Sequence, residues 1–189
     1  MAATEPIRDK KQLKELAGYW LDRDNPRNYA LVVLGVCTAL RIGDLLGLTW
    51  ADVYDFARGE FRTRIALTEG KTGKKKTIAL NKQAVNALRS LFPYKKSEFI
   101  FANNRITPAP LSRVQAWRIV REAAEAVDIV GCIACHSLRK TAGYHLWRAG
   151  VLPVLLMDIF NHSSYEVTRR YLGISQDDTD KVYMSMSLF

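Results

Sequence analysis

The segment from Tyr29 to Leu40 constrains the fold most, because it is apolar around the whole circumference of its predicted helix. A helix that is apolar on every side must be covered by other elements on all sides. The chain has 189 residues, of which 48% are hydrophobic, and can therefore bury one sizeable core. The sequence predicts one compact domain built around a central buried helix.

Further helical patterns lie on both sides of this segment. Asp9 followed by Gln12 resembles a capping box and predicts an amphipathic helix over residues 10 to 22. After the core helix, which we expect to end at Arg41, the pattern from Ile42 to Leu48 predicts a further short helix.

The pattern changes to strand periodicity between Gly59 and Leu80, where apolar and polar residues alternate. A Lys-Thr-Gly turn interrupts this segment, so we expect a β-hairpin or small sheet with Lys71 on or beside the turn. Cap residues, prolines and glycines then predict helices over residues 81 to 92, 112 to 127, 137 to 149, from 153 onward, and 164 to 171. The predicted class is α+β, mostly α, with one small antiparallel sheet.

The charge balance indicates a polyanionic partner. The chain carries 28 Lys+Arg against 19 Asp+Glu, a formal net charge of +9. Such a balance suits nucleic acid, although ribosomal and membrane-surface proteins share it. No apolar run approaches the length needed to span a bilayer, and the N-terminus lacks an export signal. With three cysteines, an odd number, we expect a cytoplasmic protein without a disulfide framework.

Several polar residues together supply what metal-free cleavage of a phosphodiester requires. That reaction needs a nucleophile, positive charge on the non-bridging oxygens, and an acid for the departing 5′-oxygen. Tyr171 is the candidate nucleophile. Arg41 and Arg139 are candidate clamps, because a guanidinium stays charged and can bind two oxygens at once. Lys71, in a flexible hairpin, is the candidate general acid.

Two histidines extend this set. His136 lies three residues before Arg139, so both side chains face the same way on one helical turn. His162 lies nine residues before Tyr171. Either imidazole can hydrogen-bond a phosphate or carry a proton.

Five dispersed segments make a specific resemblance. They are Ala-Leu-Arg41-Ile-Gly-Asp-Leu-Leu-Gly-Leu-Thr-Trp-Ala-Asp, Lys71-Thr-Gly-Lys, His136-Ser-Leu-Arg139-Lys-Thr, Asn-His162-Ser-Ser and Arg-Arg-Tyr171. In this order, from Arg41 to Tyr171, the chain resembles the catalytic domain of tyrosine recombinases, the integrase family.

The resemblance implies that a tyrosine attacks the scissile phosphate, giving a 3′-phosphotyrosyl link and a free 5′-hydroxyl. A 5′-hydroxyl from another strand later attacks this link and restores a phosphodiester. Because the phosphodiester energy is kept, no ATP, metal or other cofactor is implied. The implied roles are Arg41 and Arg139 as clamps, Lys71 as acid, His136 as base or orienting group, His162 as a phosphate contact, Tyr171 as nucleophile, and Asp44 as a supporting carboxylate.

The sequence departs from the family in three respects. Asn161 and Lys140 stand where the family often has Gly and His, and Asn161 must accept a turn conformation that suits Gly. In addition, too few residues precede Arg41 for the N-terminal DNA-clamping domain of most members. We therefore expect residues 1 to 189 to be a catalytic domain alone, either as a fragment or as a short recombinase of the kind that inverts fimbrial switches.

Four other interpretations compete with this one. A type IB topoisomerase uses similar tyrosine chemistry, and a non-catalytic DNA-binding regulator could keep the fold. The pattern Cys132-Ile-Ala-Cys135-His136 also matches covalent haem attachment and suggests a zinc site. We reject haem and zinc, because the first needs export and the second lacks another paired cysteine motif.

The sequence predicts two binding partners. One is double-stranded DNA, for which the backbone candidates are Lys74, Lys75, Lys76, Arg118, Arg121, Arg169 and Arg170. The other is a second copy of the chain. The segment 176 to 189 is too apolar for an idle tail, and family members often dock such a tail on a neighbouring protomer. We therefore expect dimers and tetramers on DNA.

Overall fold

The computed structural model describes residues 4–103, 107–174 and 176–187. The chain divides into two compact units, Met1–Ala142 and Gly143–Phe189, and each is described by itself. Helices dominate the described residues, and the strands form two antiparallel pairs. The predicted α+β class is therefore confirmed.

The first unit contains most of the elements. Its helices are α1 Lys10–Leu21, α2 Pro26–Thr38, α3 Ile42–Leu46, α4 Trp50–Val53, α5 Lys82–Leu91 and α6 Arg113–Ala126, and α7, Cys135–Arg148, begins in this unit and ends in the second. Its strands are β1 Tyr54–Asp55, β2 Glu60–Phe61, β3 Arg64–Thr68 and β4 Lys75–Ala79, and a short 3-10 helix covers Phe92–Tyr94.

The predicted central helix is α2. Its side chains Leu31, Val32 and Leu34 are at most 1% exposed, and α1, α5 and α6 all pack against it. The helix starts earlier than predicted, because Asn25 caps it through the N–H of Asn28 and Pro26 suits the first helical position. The apolar segment therefore forms the centre of the core, as expected.

The expected end of this helix at Arg41 is wrong. Thr38 is the last helical residue, and Ala39 adopts a left-handed conformation with φ 51° that ends the helix. Arg41 is instead extended, with φ −65° and ψ 144°, and is the N-cap residue of α3. Its carbonyl accepts the first hydrogen bond of that helix, from the N–H of Leu45 at 2.9 Å. Arg41 thus lies at the start of α3.

Helix caps follow the predictions with one exception. Asn81 accepts a hydrogen bond from the N–H of Ala84 and opens α5, and Ser112 with Gln115 forms a complete capping box on α6. Asp9 accepts instead from the N–H of Lys11, so the reciprocal bond expected from Gln12 is replaced by a simple N-cap.

The predicted hairpin is β3 and β4. Ile65 pairs with Ile78 and Leu67 pairs with Lys76, and Lys71 lies in the turn as expected. The shorter pair β1 and β2 was not predicted, since two-residue strands carry no periodic signal.

The second unit contains α8 Pro153–Phe160, α9 Tyr165–Leu172 and α10 Gln176–Met184, and α8 packs against α9. The turn between α8 and α9 contains Asn161 at φ 53°, which confirms the left-handed conformation expected there. A Cβ on Gly143 would lie 2.9 Å from side-chain atoms of Phe160 and of Leu172, so a larger residue here would have to displace one of them. Within the described ranges, no helix is both long enough and apolar enough to cross a membrane.

Candidate active site

An ion pair at the start of α3 holds the first predicted clamp. Nη1 of Arg41 lies 2.7 Å from Oε2 of Glu69, which is 0% exposed, while the Arg41 side chain is 24% exposed. Glu69 directly follows β3 and therefore belongs to the hairpin. The ion pair joins the hairpin to α3 and leaves part of the Arg41 side chain accessible.

The turn that carries Lys71 is bound to α3 a second time. Asp44, one helical turn after Arg41, accepts a hydrogen bond at its Oδ1 from the N–H of Gly70, at 2.9 Å. The hydroxyl of Thr72 donates to Oε2 of Glu69 at 2.8 Å. Lys71 lies between these anchored residues and its side chain is exposed. The predicted acid thus stands at the tip of a fixed turn.

The second predicted clamp, Arg139, is only 2% exposed and donates from Nη1 to the carbonyl oxygen of Ala39. The left-handed conformation of Ala39 ends α2 and leaves that carbonyl without a helical partner. The preceding residue, Leu138, packs closely on Gly35, where an added Cβ would meet the Leu138 Cδ1 at 2.7 Å. Arg139 is therefore positioned by α2, the same helix whose end precedes Arg41.

His136 lies one helical turn before Arg139 on α7. The residue is exposed as a whole, but its pKa is lowered to about 4. The main cause is loss of hydration around the ring, and repulsion from Lys140 and Arg139 adds to it. The imidazole is consequently neutral at neutral pH and can accept a proton. Lys140, the departure from the family pattern, donates to the carbonyl oxygen of Thr4 at 2.7 Å.

Lys76 differs from the two lysines before it. Lys74 and Lys75 are exposed, whereas Lys76 is half-buried and pairs with Leu67 across the hairpin. Burial and then the positive charge of Arg139 lower the pKa of Lys76, with a further lowering from Arg41. Lys76 therefore belongs to the same electrostatic cluster as both clamps.

His162 and Tyr171 lie together in the second unit. Their ring centroids are 4.9 Å apart at an interplanar angle of 71°, and Phe160 stacks on His162 at 5.4 Å. Nδ1 of His162 is 3.0 Å from Oγ1 of Thr168. The Tyr171 residue is 9% exposed. The edge-to-face contact and the threonine fix the orientation of the imidazole beside the phenol.

The other basic candidates are dispersed over the surface. Arg118 and Arg169 are exposed, while Arg121 forms an ion pair with Glu125 and Arg170 lies 3.7 Å from Glu166. Ion pairs of this kind on exposed helix faces are weak and readily exchanged for a phosphate.

Glu69 is the residue of this site that the sequence analysis missed. Strand alternation could have found it, because Glu69 continues the inward face formed by Ile65 and Leu67. A carboxylate on a buried face requires a cationic partner. The partner itself, Arg41, is distant in sequence and could not be read from the alternation.

The cysteines have no metal-binding neighbours within the described ranges, where no group of three His, Cys, Asp or Glu residues could hold an ion. All three cysteines are thiols, and burial raises the pKa of Cys135 to about 11.

Comparison with known proteins gives consistent results. The model of the phage integrase family matches residues 8–177. The probable integrase/recombinase YoeC of Bacillus subtilis (strain 168) is 37% identical over 187 residues, covering 97% of each chain. The tyrosine recombinase XerD of Mycobacterium leprae (strain TN) is 29% identical over 157 residues, which are 77% of this chain and 47% of XerD. This chain thus spans about half of XerD but nearly all of YoeC.

The fold also matches solved structures. The XerH site-specific recombinase, in a post-cleavage complex with a palindromic difH substrate, superposes with a TM-score of 0.74 at 16% identity, covering 97% of this chain and 54% of XerH. This likeness supports the fold. Together, the matches confirm the family and reaction class that the sequence resemblance predicted, and they do not favour the topoisomerase or regulator interpretation.

Proposed function

Because this chain belongs to the phage integrase family of tyrosine recombinases, we propose that it cuts and rejoins double-stranded DNA at specific sites through a phosphotyrosyl link at Tyr171. The observation that carries this proposal is the fixed placement of two arginines, Arg41 by Glu69 and Arg139 by Ala39, beside His136 and Lys76. Such a cluster of cations suits one phosphate group.

In the cleavage step, the phenolic oxygen of Tyr171 attacks the scissile phosphorus. A phosphorus–oxygen bond to tyrosine forms, and the bond from phosphorus to the 5′-oxygen breaks. Arg41 and Arg139 neutralise the two non-bridging oxygens, where negative charge grows in the transition state. The product is a 3′-phosphotyrosyl strand and a free 5′-hydroxyl.

Two proton transfers accompany this step. The neutral His136 accepts or orients the phenolic proton, which its lowered pKa permits at neutral pH. A lysine donates a proton to the departing 5′-oxygen. We assign that role to Lys71 at the exposed turn, with Lys76 contributing a second positive charge close to the clamps.

We assign His162 to a phosphate contact next to the nucleophile. Its Nδ1 lies 3.0 Å from the hydroxyl of Thr168, which orients the imidazole beside Tyr171. In the second step a 5′-hydroxyl of another strand attacks the phosphotyrosine, and Tyr171 leaves. Two linkages are exchanged without net hydrolysis, which suits integration, excision or inversion of a DNA element.

We further propose that residues 1 to 189 act as a catalytic domain that binds the DNA backbone through exposed basic side chains. The best placed are Lys74 and Lys75 on the hairpin, and Arg118 and Arg169 on helices. Arg121 and Arg170 are secondary, because each already has a glutamate partner.

We propose assembly of copies on DNA through the C-terminal segment. In α10, Val182, Tyr183 and Met184 are 66%, 68% and 86% exposed, which is unusual for three consecutive apolar residues. Leu188 and Phe189, also part of the predicted segment, lie outside the described residues. An exposed apolar helix of this kind is suited to a partner subunit.

Covalent selection tests the proposed function. The protein is incubated with nicked duplexes that carry a randomised central segment, and adducts that survive denaturation are sequenced and resynthesised as one selected duplex. We expect a defined sequence, an adduct that Tyr171→Phe abolishes, and an adduct retained in Tyr165→Phe. Tyr165 lies on the same helix and is 48% exposed. An undiminished adduct in Tyr171→Phe would refute the assignment, and relaxation of supercoiled DNA without the selected sequence would favour a topoisomerase.

A further inference from the structure

We infer that Glu69 is a positioning residue for strand cleavage, which holds the Arg41 guanidinium in its phosphate-binding orientation and ties it to the turn of Lys71. The inference rests on the proposed function. Glu69 touches neither nucleophile nor phosphate in this scheme and acts through its neighbours.

The burial of Glu69 indicates how strongly it depends on its partner. Its side chain is 0% exposed, and Oε2 lies 2.7 Å from Nη1 of Arg41. A carboxylate removed from water is tolerated only when it is paired and hydrogen-bonded. The ion pair therefore restricts both side chains to one arrangement.

The same carboxylate organises the turn. Its Oε2 also accepts from the hydroxyl of Thr72 at 2.8 Å. The backbone of Glu69 also closes the loop, because the Glu69 N–H donates to the carbonyl of Lys74 and the Glu69 carbonyl accepts from the N–H of Gly73. Lys71 lies within this loop. One residue thus links the candidate clamp to the candidate acid.

The geometry leaves Arg41 useful donors. A guanidinium has five N–H groups in a rigid fork, and Glu69 engages the Nη1 end. The remaining donors can bind phosphate, and the 24% exposure of the side chain leaves them room. Without the carboxylate, the long side chain regains rotamers in which the fork points elsewhere. The loss should therefore appear in the rate of cleavage more than in DNA affinity, which many exposed cations share.

The test compares Glu69→Gln with Glu60→Gln, the same substitution at an exposed residue of β2 whose oxygen lies 3.6 Å from Arg58. Single-turnover cleavage of the selected nicked duplex is measured at saturating DNA. Outer-shell partners that orient metal ligands typically contribute about 10- to 100-fold, and we take the same range for a carboxylate that orients a phosphate-binding arginine. We expect a loss of that size in Glu69→Gln, with DNA affinity near that of the wild type, and no loss in Glu60→Gln.

Two further measurements separate positioning from general stability. A duplex with a neutral methylphosphonate at the scissile linkage presents less charge to Arg41, so the defect of Glu69→Gln should shrink on it. In an Arg41→Ala background, Glu69→Gln should cause little additional loss, because the two residues act as a unit. Thr72→Val, a milder change on the exposed turn, should give a smaller defect of the same pattern.

The outcomes are distinguishable. If the wild type forms no adduct, the proposed function fails. If the wild type cleaves and Glu69→Gln cleaves at an equal rate, only the inference about Glu69 fails. The loss of cleavage rate caused by Glu69→Gln could also be the same on phosphate and on methylphosphonate, and the same in the wild type and in Arg41→Ala. That result would assign Glu69 a purely structural role and overturn the inference.

Discussion

The close packing of α2 on α7 can be tested with Gly35→Ala. An added Cβ would lie 2.7 Å from Cδ1 and 3.3 Å from Cβ of Leu138. The first contact can be relieved by rotation of the side chain, but the second requires a shift of α7 itself. Overpacking of this kind costs about 1–3 kcal/mol. Replacing a helical glycine by alanine returns about 0.5–1 kcal/mol, so the net loss of unfolding free energy should be about 0–2.5 kcal/mol.

The matched control is Gly18→Ala on α1, where an added Cβ meets no atom within 4 Å. This variant should be stabilised by about 0.5–1 kcal/mol, because only the backbone effect remains. Urea unfolding followed by far-UV circular dichroism measures both variants. We also expect Gly35→Ala to cleave DNA more slowly, since Leu138 precedes the clamp Arg139. Equal stabilisation of the two variants would refute the close packing that positions this arginine.

Three other predictions follow from the site and its supports. The pKa of His136 is lowered to about 4 in the folded protein from an ordinary 6.5, so the neutral ring stabilises the fold above pH 6.5 and this contribution is lost as the pH falls to about 4. An NMR titration of the ring should have its midpoint near the lower value, and a midpoint near 6.5 would contradict the assignment. Gly143→Ala should displace Phe160 or Leu172 and slow adduct formation in a gel assay, since its Cβ would lie 2.9 Å from each; unchanged rates would argue against this packing around Tyr171. Deletion of residues 176 to 189 should leave DNA binding intact in gel shifts but impair strand exchange, whereas full exchange would exclude a role for this segment in assembly.

The local parts of the fold could be predicted from sequence because their causes are local. Ser112 with Gln115, Asn81 before α5, and the alternation around Ile65 each act within a few residues. The end of α2 was wrongly predicted at Arg41 for a different reason. Ala39 adopts the left-handed conformation without being glycine or asparagine, so nothing in the local sequence marks the end of α2.

The candidate site also combines features that the sequence predicts with features that it does not. The sequence order of arginines, histidines and tyrosine indicated the family, and the comparisons confirm that family. The ion pair between Arg41 and Glu69, and the inclusion of Lys76 with the clamps, depend on how the hairpin packs on α3. Contacts between residues so distant in sequence are set by tertiary packing, and no local pattern specifies them.

Mass spectrometry of the trapped adduct identifies the nucleophile and the linkage in one measurement. After digestion with nuclease and trypsin, we expect a nucleotide linked through its 3′-phosphate to the peptide Tyr171–Lys181, with the modification on Tyr171. A nucleotide on any other peptide, or one joined through a 5′-phosphate, would contradict the proposed chemistry.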